Sequence, residues 1–281
     1  MNTTISWSHW TWNPCTGCTK CSPECKHCYI PFTLCRRKLA AWDGLVLASK
    51  AIRHAPKTWD RQAFRTAQAA RVFTCSLSDF FHVEADKWRP YFWGTIRKTP
   101  NLVWMVVTKR PERILDHLPP DWGDGYPNVW LGVSTGCKQT LNKMDILREV
   151  PCALRMVSTE PLLEDISQDI NLDGFGWVVT GGESGPGKEY NYRGPFNVLN
   201  GRRIMKLEWA ANLRDVTKAA GLPFFFKQIT HRHSSRGVDA LGRIWHEVPD
   251  APWGLDWAPR PEPKIKQGKV PKASISRKAF V

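Results

Sequence analysis

Apolar positions in this chain gather into short, nearly continuous runs separated by longer stretches of helical periodicity. The runs are Val72–Leu77, Leu102–Val107, Val129–Val133, Ala153–Val157, Gly176–Val179 and Pro223–Phe226. Continuity rather than strict alternation is the mark of strands covered on both faces, as in a parallel sheet. Helices are predicted over Tyr29–Trp42, Asp86–Lys98, Lys138–Glu149 and Met205–Ala220. In the last of these Trp209, Leu213, Val216 and Ala220 recur at helical spacing, and Gly221 then Pro223 stop the segment. Strand–helix alternation through about six or seven units predicts a parallel α/β fold, a full or partial (β/α) barrel. A doubly wound open sheet is the alternative that periodicity leaves open.

Residues 1–230 read as one such domain, with 231–281 as a C-terminal extension. From Ala258 to Val281 there are seven Lys or Arg against one acid, interleaved with proline and without an apolar period, which reads as a solvated basic tail.

Each apolar run ends in polar residues: Ser76-Leu77-Ser78-Asp79, Thr108-Lys109-Arg110, Ser134, Ser158-Thr159-Glu160-Pro161, Gly181-Gly182-Glu183-Ser184 and Lys227-Gln228. The carboxyl ends of parallel strands line the ligand site in barrels and open sheets alike. Any one of these residues has a plain role as a loop or cap residue. Their recurrence at successive strand ends points to a shared site.

The densest chemistry is Cys15-Thr-Gly-Cys18-Thr-Lys-Cys21-Ser-Pro-Glu-Cys25-Lys-His-Cys28-Tyr29. No apolar run approaches the roughly 18 residues that span a bilayer. The N-terminus lacks a basic region followed by an apolar one, so a cytoplasmic protein without a membrane partner is expected. In a reducing compartment, clustered thiols are metal ligands more often than disulfides. The scattered Cys35, Cys75, Cys137 and Cys152 read as small buried residues.

Two ligand sets compete. Cys21, Cys25 and Cys28 supply three thiolates to a cubane cluster and leave one iron open. Cys18, Cys21, Cys25 and Cys28 could instead close a tetrahedral zinc site. The α/β chain that follows favours the cluster, because an open iron needs a concave surface for its cofactor.

Forty basic against 26 acidic residues give a net charge of +14. That balance suits a polyanionic partner, a nucleic acid or nucleotide. Fifteen tryptophans, among them Trp7, Trp10 and Trp12, could stack bases or fill the core.

The cysteine spacing followed by Tyr29 resembles the radical S-adenosylmethionine superfamily. More closely, the chain resembles a phage-associated, three-cysteine-motif family of unknown function. The matching stretches are Trp12-Asn13-Pro14, Gly17–Lys20, Ser22-Pro23, Cys25, Cys28-Tyr29, Ser76–His82, Thr108–Arg113, Asn128–Ser134, Glu160–Leu163, Gly181–Gly187 and Pro223–Gln228. In that family the three cysteines match Cys18, Cys25 and Cys28, so Cys18 and Cys21 compete for the third place.

The resemblance implies a [4Fe–4S] cluster, S-adenosylmethionine as cofactor, an external electron donor and radical chemistry on a substrate. Cleavage of the cofactor to transfer another of its parts is a further reading, and a non-catalytic zinc-binding nucleic-acid module is the rival class. Ser78, Asp79, Ser134, Gly181, Gly182 and Glu183 are the expected cofactor-binding residues, although the Gly-Gly-Glu segment follows a later strand than in the superfamily. His82, Lys109 and Glu160 are the expected catalytic residues. Arg110 and Lys227 are candidates to hold a carboxylate or phosphate.

Overall fold

The computed structural model of the protein describes residues 3, 5–37, 44–185, 198–199, 202–231, 233 and 235–259. Seven strands follow one another across a single sheet in chain order: β1 (Trp10–Trp12), β2 (Gln68–Thr74), β3 (Leu102–Thr108), β4 (Val129–Ser134), β5 (Leu154–Thr159), β6 (Trp177–Gly181) and β7 (Phe224–Gln228). Every pairing is parallel. An eighth short strand, β8 (Asp256–Trp257), adds to the start of β2. The sheet curls into a half-barrel, which selects the partial-barrel expectation over the open doubly wound sheet.

Period-two alternation explains why the runs looked continuous. Val72, Trp104, Val106, Leu131, Val133, Val178, Phe224 and Phe226 lie in the larger core cluster. Their alternates Ala69, Val103, Met105, Trp130, Met156, Trp177, Val179 and Phe225 form a second cluster with Trp7. Both faces of the sheet are therefore apolar. Trp257, edge-on to Trp130 at 5.7 Å and under Arg71 at 4.4 Å, packs against the second cluster. Fully buried Trp7, Trp12, Trp104 and Trp177 are thus core residues, and their number reflects packing.

The helices are α1 (Ile30–Arg37), α2 (Lys50–Thr66), α3 (Arg89–Arg97), α4 (Asn142–Arg148) and α5 (Leu207–Ala219). The predicted Tyr29–Trp42 helix is described only to Arg37; residues 38–43 lie outside the described residues. The strand expected over Val72–Leu77 occupies Gln68–Thr74 instead. Cys75 takes a left-handed backbone (φ 63°), which ends the strand and turns Ser76 to Asp79 over the sheet's carboxyl edge. Residues 235–259 return to the half-barrel: Phe226 N donates to Trp245 O at 2.7 Å, and Ala258 N donates to Ala69 O at 2.8 Å. The basic tail beyond residue 259 lies outside the described residues. Among the described residues no helix is long and apolar enough to cross a membrane.

Candidate active site

The cysteine segment leaves β1 and runs over the carboxyl ends of the strands. Its root is a two-stranded antiparallel pairing of Cys15–Thr16 with Val46–Leu47. Gly17 has φ 107°, and a Cβ there would lie 1.9 Å from Gly44 O, so only glycine fits the turn. Asn13 fixes the neighbouring turn, accepting from Leu77 N at 2.8 Å and donating to Ser76 Oγ at 3.0 Å.

Two charged residues pin the far parts of this segment. Arg110, at the end of β3, donates to Thr19 O at 2.7 Å and Thr19 Oγ1 at 3.0 Å, and its guanidinium lies 3.8 Å from Cys18 Sγ. Glu24 is buried and accepts from Gly136 N at 2.9 Å and Thr140 Oγ1 at 2.6 Å beyond β4. Lys143 stands 3.7 Å away, and Ser22 also donates to the carboxylate. Burial alone would raise the Glu24 pKa; Lys143, Ser22 and Thr140 outweigh it and hold the pKa down to about 2. Glu24 was not singled out in the sequence, where it is one acid inside a thiol-rich segment.

A cleft of about 2780 Å³ opens between this segment and the strand ends. Of the expected site residues, Cys18, Cys25, Cys28, Ser78, Asp79, Lys109, Ser134, Glu160, Gly182 and Glu183 line it, together with Lys227; Cys21, His82 and Gly181 do not. Cys18 and Cys25 are buried, Cys28 is half-buried and Cys21 is exposed. Burial pushes the Cys18 thiol up to about 12 and also raises Cys28. A hydrogen bond from the Cys21 thiol holds Cys25 down. Cys15 is buried against Ser78, 3.5 Å from its hydroxyl.

Lys109 lines the cleft together with the thiols and donates to Ser134 Oγ at 2.9 Å. Burial disfavours its ammonium, but Cys25, Glu24, Cys28 and Asp79 raise its pKa above the usual value. Ser134 Oγ in turn donates to Glu160 O at 3.1 Å; Lys227 Nζ lies 2.7 Å from Glu160 Oε1, while Glu160 Oε2 accepts from Trp7 Nε1 at 3.2 Å.

Other expected residues are engaged with the protein itself. The Asp79 carboxylate accepts from Phe81 N at 2.9 Å, Thr108 Oγ1 at 2.7 Å and Lys109 N at 3.0 Å, and pairs with Arg110 at 3.2 Å. His82 caps a short 3-10 turn through Nδ1, which accepts from Glu84 N; its Nε2 therefore carries the proton and donates to Thr19 Oγ1 at 3.0 Å. Burial and then Arg110 lower its pKa. Glu183 accepts from Arg203 N at 2.6 Å and Nε at 2.7 Å, and lies 3.2 Å from His27 Nδ1. At Gly182 a Cβ would lie 2.4 Å from Thr230 N, so this glycine lets the β6 and β7 ends close on each other.

Among the described residues no three or more His, Cys, Asp or Glu side chains are arranged to hold one metal ion. Thiolates that bind separate corners of a cluster need not converge on one point. Three thiols from one loop share the cleft lining with the Lys109 ammonium, a donor set whose chemistry suits an anionic iron–sulfur group.

The fold and site define a class: a parallel α/β half-barrel with a thiol-bearing loop over its carboxyl edge. The chain belongs to the family described as proteins of unknown function DUF5131, whose profile matches residues 2–250. No curated protein matches the sequence. The half-barrel is similar to spore photoproduct lyase complexed with dinucleoside spore photoproduct, at TM-score 0.50 and 11% identity over 80% of this chain and 78% of that chain. A cysteine-to-alanine mutant of that lyase with the same ligand gives TM-score 0.51, again at 11% identity over 80% and 78% of the two chains. At that identity the likeness establishes the fold. Neither the family description nor these structures carries the phage association expected from the motifs.

Proposed function

We propose that the protein is a radical S-adenosylmethionine enzyme acting on a nucleotide or nucleic acid, with a [4Fe–4S] cluster held by Cys18, Cys25 and Cys28. The observation that carries this reading is the presence of three thiols from one loop on the lining of a cleft at the carboxyl edge of a parallel half-barrel. The fold likeness to spore photoproduct lyase, a radical S-adenosylmethionine enzyme, supports the class. The dinucleoside ligand of that lyase supports the substrate type. Cys18 is favoured over Cys21 as third ligand because it is buried and lines the cleft, whereas Cys21 is exposed and does not.

When bound, the cluster supplies the electron that cleaves S-adenosylmethionine and so starts radical chemistry on the substrate. The chain's own residues do the rest. Lys109 offsets the negative charge of the thiolates. Arg110 and Glu24 hold the loop in register, and His82 supports it through Thr19. Ser78, Ser134 and Gly182 offer polar surface to the cofactor at the strand ends, while Asp79 and Glu183 brace the walls. Glu160 and Lys227 face the cleft as an ion pair, with Trp7 donating to the Glu160 carboxylate. The electron that cleaves the cofactor would reach the cluster from an external donor.

Protein purified anaerobically should carry about four irons and four sulfides per chain and absorb broadly near 400 nm. With reductant and S-adenosylmethionine it should release 5′-deoxyadenosine. Colourless protein with one stoichiometric zinc would overturn the reading in favour of the non-catalytic module.

A further inference from the structure

Helix α2 carries a pattern that the cleft chemistry does not use. On a helix of 3.6 residues per turn, Lys50, Arg53, Lys57, Arg61 and Arg65 fall within an arc of roughly 120° and span about 22 Å of axis. The opposite side, with Pro56, Trp59 and Ala63, packs on the sheet. None of the five cations forms an ion pair among the described residues. The helix's one acid, Asp60, is turned to Asn101, accepting from its backbone N at 2.8 Å and its side chain at 3.1 Å. His54 shares the arc, and desolvation followed by Lys57, Lys50 and Arg53 lowers its pKa.

A row of like charges without counter-charges repels itself, and a polyanion relieves that repulsion while releasing its own counterions. Phe64 lies inside the same arc with 73% of its surface exposed. A bare phenyl ring among cations suits an unpaired base, which stacks on it, rather than the closed edge of a duplex. A bilayer fits poorly, because the apolar face that an interfacial helix would insert is already buried on the sheet.

Position agrees with this. Ser49, immediately before the helix, lines the cleft. The lead-in residues Val46–Leu47 pair with Cys15–Thr16 at the root of the cysteine loop.

We infer that α2 is a docking ridge for single-stranded nucleic acid, with the five cations on successive phosphates and Phe64 beneath a base. The ridge stands independently of the chemistry proposed for the cleft. Only its corollary, that the substrate is part of a polynucleotide strand, rests on that reading.

The test is fluorescence anisotropy of the full chain with labelled oligodeoxythymidine across a salt series. The variant K57Q/R61Q/R65Q should lower the salt slope by about 2, at about 0.7 per lost contact, and weaken binding at least tenfold. Phe64→Ala should weaken binding about tenfold without changing the slope, and Phe64→Trp should restore it. Thermal unfolding and iron content, unchanged in all three, separate loss of the ridge from loss of the fold or the cleft.

Neutralising Lys264, Lys266, Lys269 and Lys272 in the tail should leave the difference between ridge variant and parent intact. Unchanged affinity and slope in the ridge variant would overturn the inference. So would a duplex that competes equally well with no effect of Phe64→Ala, or tighter ridge-dependent binding to phosphatidylserine vesicles.

Discussion

Lys227 Nζ stands 2.7 Å from Glu160 Oε1 at the carboxyl edge of the sheet, joining the ends of β5 and β7 across β6. Both side chains are mostly buried and both line the cleft. Lys227→Met leaves the Glu160 carboxylate without its cation, and should cost about 2–3 kcal/mol in denaturant unfolding. Adding Glu160→Gln to that variant should recover part of the loss. Strict additivity of the two single changes would show that the pair is not coupled.

Glu24→Ala removes the acceptor for Gly136 N, Thr140 and Ser22 and leaves Lys143 unpaired in a buried setting. A destabilisation of about 2–4 kcal/mol is expected. Glu24→Gln should cost less, since the amide oxygen can still accept. Equal and negligible effects of both changes on the unfolding midpoint would show that the loop is held by other contacts.

Asp86 ties together Arg89 at 2.6 Å, Arg113 at 2.8 Å and His117 at 3.3 Å. Burial would raise its pKa, but hydrogen bonds from Arg89 and Arg113 prevail and hold it below the ordinary 3.8. A carboxylate with a depressed folded pKa stabilises the fold above its unfolded pKa and loses that contribution as pH falls through the folded value. The stability gap between the parent and Asp86→Asn should therefore be constant above about pH 5 and shrink below about pH 4. A gap that stays constant down to pH 2 would count against this assignment.

Cys18→Ala should abolish iron retention after anaerobic reconstitution, and Cys21→Ala should leave it near the parent level. The exposure of Cys21 and the burial of Cys18 motivate this order. The reverse outcome, read from iron stoichiometry and absorbance, would restore the general superfamily register.

Several features were legible in the chain because they are local. The runs beginning at Leu102, Val129, Ala153, Gly176 and Pro223 all became strands within two residues of their expected starts. The polar groups after them do gather at one edge, because parallel strands with both faces buried must all end there. Other elements, β1 and α2 among them, were not legible in this way. β1 is only three residues long. In α2, Pro56 interrupts the helical pattern, and basic residues outnumber the apolar ones that touch the sheet. Its periodicity was legible in charge rather than in hydrophobicity.

The sequence by itself determined the alternation of strands and helices, the polar carboxyl edge and the presence of a thiol-rich loop, since these follow from nearest-neighbour patterning. Tertiary structure decided what each polar side chain does. Asp79 and His82 read in the chain as site candidates or as plain structural residues, and the fold engages both: Thr108 and Arg110 take up the first and Thr19 the second. Glu24 looked incidental, yet it anchors the loop beyond β4. Hydrogen bonding between residues far apart in sequence depends on which strand ends the curl of the sheet brings together, and no local pattern encodes that distance. In the same way, burial separates Cys18 from Cys21, two thiols that spacing alone leaves equivalent.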